Sequence, residues 1–158
     1  MRAGTLLRGA AGVAFVQFVG HATLFVRARP THGASEEAVV AAMRAHAFRF
    51  ASAPRTYWDM YFGYGLEAAF ICLVESVLFW QLARIADRDA ALVRPLVALF
   101  LVANLAHIAM LAVYFAFPVP MAFDTLLAAV LLLALYSATP LSFRIRHTFS
   151  GVTGMSMW

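Results

Sequence analysis

The chain contains no lysine and one cysteine, and only 13% of its 158 residues are charged, with eight acids in all. Each shortage excludes something. A lone cysteine, Cys72, cannot form an intrachain disulfide. Sitting in an apolar run, it reads as a small packing group. Arginine supplies every basic side chain, at positions 2, 8, 27, 29, 44, 49, 55, 84, 88, 94, 144 and 146. Spaced singly, these do not make the dense basic face that nucleic acid requires. Soluble domains are about 25% charged and about 45–50% apolar, so this chain could not cover its own surface in water.

What fills the space is apolar: 63% of residues, with a mean hydropathy of +0.80. This composition excludes a cytosolic enzyme, a nucleic-acid module and a disordered tail, and indicates an integral membrane protein. The net charge of +4 and pI of 9.8 follow from arginines placed where apolar runs stop, as flanking charges anchor helices at a bilayer.

Four apolar windows predict spans over about 9–26, 57–82, 96–117 and 121–143. Each approaches the ~20 residues that cross ~30 Å of hydrocarbon. Strand-like alternation is absent and lipid leaves no water for backbone groups, so the expected class is all-α, a four-transmembrane-helix bundle in one membrane domain. Arg2 and Arg8 before an apolar run, with Gly20-His21-Ala22 behind, resemble a signal peptide; the segment is read as a retained span. Pro118-Val119-Pro120 predicts a tight hairpin between spans three and four, and Pro140 a kink or stop. In the first loop, Ser35-Glu36-Glu37 and the spacing of Val39, Met43, Ala47 and Phe50 predict an amphipathic helix over 35–50 that caps the bundle or lies in the interface. Arginines number seven on the side of the termini and five on the other, which places both termini in the cytoplasm.

Ionisable groups at membrane depth are costly and usually face the bundle interior. Depth counting puts Glu67, ten residues into span two, level with His107, ten residues from the end of span three. Asn104 shares a face with His107, and Gln17 and His21 lie in the same leaflet half of span one. The expectation is a polar cluster of Glu67, His107, Asn104, His21 and Gln17. It would serve as a small-ligand or proton site, or as interhelical hydrogen bonding that fixes packing. Glu75 is expected to form a structural ion pair with Arg8, and Asp124 to lie near the surface. No short histidine spacing of the HxxxH or HExxH type predicts a metal. No phosphate loop, nucleophile elbow or CxxC appears, so the reading leans away from an enzyme and implies no cofactor. A haem held by His21 and His107 is the minor alternative.

The densest stretch runs from Arg55 to Glu67. Tyr57, Trp58, Tyr61 and Tyr64 are suited to the headgroup level, with Asp59 interfacial as a helix cap or a partner of Arg55. Gly65 and Ala69 leave a notch for a neighbouring helix. This segment, with Trp80-Gln81-Leu82-Ala83 and Arg94-Pro95, resembles a group of small bacterial four-helix integral membrane proteins over the middle two-thirds of the chain. The resemblance implies architecture and carries no activity. Expected partners are membrane lipids and, through apolar helix surface, other membrane-protein helices or a homodimer, but no nucleic acid. The functional expectation is a non-catalytic accessory subunit or a lipid- or amphiphile-binding component of a bacterial inner membrane. The alternative is a small membrane enzyme or proton-coupled carrier using Glu67 and His107.

Overall fold

A computed structural model describes residues 2–26 and 32–139. The described residues form five helices and one hairpin: α1 (Ala3–Val26), α2 (Ala34–Ala45), β1 (Ala47–Phe50), β2 (Ala53–Thr56), α3 (Tyr57–Ala86), α4 (Ala90–Tyr114) and α5 (Pro118–Ser137). The class is all-α. Four helices, α1, α3, α4 and α5, are long and apolar enough to cross a membrane, and mark this as a membrane protein. At ~1.5 Å per residue the 30 residues of α3 reach ~45 Å, well beyond the hydrocarbon thickness.

Helix ends differ from the sequence expectation for identifiable reasons. α1 begins six residues early, taking in Arg8. α4 begins at Ala90 because the Asp89 side chain caps it, accepting from the Ala91 amide at 2.9 Å. The helix then continues through Pro95, which lacks the N–H that would bond the Ala91 carbonyl. Pro118-Val119-Pro120 is the first turn of α5 and not a loop, since amides there need no intrahelical acceptor. The turn is made earlier, by Phe115, Ala116 at φ 45° and Phe117. The ends expected at Pro140 and residue 143, and Arg27, Arg29, Arg144 and Arg146, lie outside the described residues.

The amphipathic helix stops at Ala45. Residues 47–50, expected to continue it, form β1 instead, paired antiparallel with β2 so that Phe48 faces Arg55 and Phe50 faces Ala53. Alternating Ala-Phe-Arg-Phe suits a strand, and Pro54 disfavours helix. Ala51 and Ser52 close the hairpin at φ 47° and 74°, the geometry of a two-residue turn that usually takes Asn-Gly. Ser35 does not cap α2. Gly33 precedes the helix at φ 89°, and the Glu36 carboxylate reaches back to the His32 amide at 2.6 Å.

The chain forms two compact units: one from the N-terminus to Ala14 together with Glu75 onward, the other Phe15–Val74. In the first, parts of four helices enclose one apolar core. Leu7, Phe79, Val93, Val97 and Leu131 are fully buried, with Phe79 edge-on to Phe100 at 5.0 Å. Ala3, Ala10 and Ala14 line the buried stripe of α1 with Leu7, and Ala83 and Ala86 that of α3. Their small side chains bring backbones close. Ser76 Oγ exploits this approach, donating to the Ala11 carbonyl at 2.9 Å. In the second unit, the Phe25 ring of α1 occupies the space above Gly65 that a Cβ would fill. It packs tilted on Tyr61 and edge-on to Phe62.

Candidate functional site

The intramembrane pairing departs from expectation. His107 Nδ1 lies 2.9 Å from Asp124 Oδ2, joining α4 to α5; Glu67, the partner expected from the sequence, belongs to the other compact unit. Asp124, expected near the membrane surface, is 2% exposed and so is enclosed by the protein itself. The His107 side chain remains 48% exposed. The cause is the hairpin itself. His107 lies seven residues before Tyr114, the end of α4, and Asp124 six residues after Pro118, the start of α5. Two antiparallel helices joined by so short a turn bring such positions level. That symmetry about the turn was available in the sequence. Counting depth separately on each span hid it.

Asn104, one turn before His107, is half-buried, and its Oδ1 is buried without a hydrogen-bond partner among the described residues. Glu75 of α3 is half-buried and within electrostatic reach of both Asp124 and His107. Two carboxylates, an imidazole and a carboxamide thus belong to the first unit. No three His, Cys, Asp or Glu side chains among the described residues converge as a metal site would.

Glu67 is exposed, against the expectation that it turns inward. Gly65 and Ala69 form the buried stripe of this part of α3. A residue two positions from each lies ~200° away at 100° per residue. Gln17 and His21, on one face of α1, are half-buried.

Arg8 does not pair with Glu75. Its guanidinium engages the Asp87 carboxylate through both terminal nitrogens, with its charge 5.9 Å from the centre of the Trp80 ring. Because α1 starts at Ala3, Arg8 lies in its second turn, level with the residue that follows α3. Asp87 rests against Gly4, where a Cβ would collide with it. Arg2, Thr5, Arg8, Asp87 and Ser137 line an open cleft of about 520 Å³ at this end of the unit.

At the start of α3, Thr56 and Asp59 form a reciprocal cap. The Asp59 carboxylate accepts from the Thr56 amide at 2.8 Å, and Thr56 Oγ1 accepts from the Asp59 amide at 3.1 Å. Asp59 therefore caps and is not within ion-pair distance of Arg55. Tyr57, Tyr61 and Tyr64 are exposed. Trp58 is half-buried beneath Arg44, whose guanidinium carbon lies 4.3 Å from the ring centroid. His46 stacks on Tyr57 at 5.4 Å and Phe48 packs on it at 4.9 Å. The hairpin that supplies Phe48 is the element sequence reasoning missed; the Phe-x-Phe alternation before Pro54 was its signal.

Searches of protein-family models, curated proteins and solved structures give no match to this chain.

Proposed function

We propose that the chain is a non-catalytic component of a bacterial inner membrane, an accessory subunit or lipid- and amphiphile-binding protein that acts through the outer surfaces of its helices. The observation that carries this reading is how little of the spans the chain itself covers. Only 17% of the most apolar window of α4 is buried, and 22% of that of α3. Leu92, Leu99, Val102 and Val113 of α4 are each more than 60% exposed. Such surface is stable in lipid or against another helix. The arginine count favours cytoplasmic termini. Purification in a mild detergent followed by native mass spectrometry is expected to show retained lipid, a second copy or a partner chain. A lone, lipid-free monomer would contradict the proposal.

His107 and Asp124 favour a second reading. A buried carboxylate against an imidazole with one open edge is the chemistry of proton exchange, so the carrier or enzyme alternative moves from Glu67 and His107 to His107 and Asp124. In proteoliposomes under an imposed pH gradient, this reading expects proton flux that is lost in Asp124→Asn. Equal flux in empty vesicles would end it.

A further inference from the structure

We propose that the β1–β2 hairpin is a docking surface for anionic phospholipid headgroups, with Arg49 and Arg55 as the binding cations and Phe50 as the apolar anchor. The inference rests on the lipid-binding reading above and names the lipid class and the place. Among the described residues, no carboxylate lies within ion-pair distance of Arg44, Arg49 or Arg55. Arg44 is engaged on Trp58. Arg49 and Arg55 each have one neutral bond through a terminal nitrogen, to the Ser52 carbonyl at 3.3 Å and the Pro54 carbonyl at 2.8 Å. Each guanidinium carries five N–H donors, so planar forks remain that match phosphate oxygens bidentately.

Asp59 lies within electrostatic reach of Arg55 but forms no ion pair with it. Asp59, the acid closest in sequence, is committed to the Thr56 cap, and Glu36 to His32. The apolar part is supplied by the same hairpin. By the strand register, Phe48, Phe50, Ala53 and Arg55 share one face. Phe48 is held by Tyr57, whereas Phe50 at the turn is 53% exposed. Thr56 leads directly into the membrane-spanning α3. Arg49, opposite Pro54, lies on the reverse face. The hairpin thus carries an exposed ring beside its turn, with one guanidinium on the ring's face and one behind it, which fits tip-first entry into a layer that is apolar below and anionic above. Charge complementarity therefore selects an anionic over a zwitterionic leaflet.

The test uses the full-length protein in mild detergent, titrated with phosphatidylglycerol and with phosphatidylcholine of the same acyl chains, bound lipid being counted by native mass spectrometry. Preferential retention of phosphatidylglycerol is expected. At about 1 kcal/mol, or roughly fivefold, per arginine near a surface, R49Q/R55Q is expected to lower that preference on the order of 25-fold, while Arg8→Gln leaves it intact. Should R49Q/R55Q fail to fold, the wild-type preference is measured as salt rises from 0.1 to 1 M, where screening is expected to remove most of it. Equal retention of the two lipids, or a preference untouched by R49Q/R55Q or by salt, overturns the proposal. Lipid retained without headgroup preference would refute this inference alone, whereas a lipid-free monomer would refute the broader reading.

Discussion

Replacing His107 with leucine isolates the energetics of the intramembrane pair. Asp124 is 2% exposed and its Oδ2 faces the imidazole at 2.9 Å. Removing one partner of a buried ion pair costs about 3–5 kcal/mol, because the other charge stays buried with less compensation. Half-exposure of the His107 side chain weakens its share, so about 3 kcal/mol is expected, at the low end of that range. Asp124→Leu should behave differently. It removes the buried carboxylate and leaves an imidazole that is already half-exposed, so its cost should stay within about 1 kcal/mol. The double variant H107L/D124L should also return to within about 1 kcal/mol of the wild type. The assay is reversible unfolding in mixed micelles followed by far-ultraviolet circular dichroism, arranged as a double-mutant cycle. If Asp124→Leu costs as much as His107→Leu, or if the two costs simply add, the pair is not what holds this part of α4 against α5.

Other consequences follow from close contacts and exposed charges. Gly65→Ala places a methyl where the Phe25 ring sits, and should destabilise by about 1–3 kcal/mol in the same unfolding assay; adding Phe25→Ala should relieve the overlap. Asn-Gly in place of Ala51-Ser52 should raise stability by about 1 kcal/mol, since both positions hold positive φ; a lower melting temperature would show that the turn is not as described. Arg8→Gln should cost less than about 1 kcal/mol, because the Arg8 and Asp87 side chains are 40% and 39% exposed, and that cost should shrink at high salt. A larger, salt-insensitive loss would mean that the guanidinium matters through packing on Trp80.

The four spans were legible because hydropathy is summed over some twenty residues, which tolerates errors at each end. The ends depended on single side chains. Asp89 as a cap moved the start of α4 upstream of Pro95, and prolines at the first turn of α5 turned an expected loop into helix. The polar partners were harder to read. Glu67 and His107 were matched by depth alone, yet depth does not fix azimuth. The stripe of Gly65 and Ala69 turns Glu67 outward, while the short turn before Pro118 sets His107 against Asp124. Arg8 followed the same pattern: extending α1 and α3 at their ends exchanged Glu75 for Asp87. The hairpin escaped notice because four-residue strands carry little periodic signal beside an amphipathic helix, and its turn lacks the usual Asn-Gly.

A four-span fold requires lipid around these helices and four crossings of it. Single cysteines placed at Ser35, Asp89 and Phe117 in a Cys72→Ala background, probed with a membrane-impermeant maleimide in sealed vesicles, test both. Ser35 and Phe117 are expected to react from one side and Asp89 only from the other. Labelling of all three from the same side, or a chain that washes from the vesicles in alkaline carbonate, would contradict the four-span membrane fold.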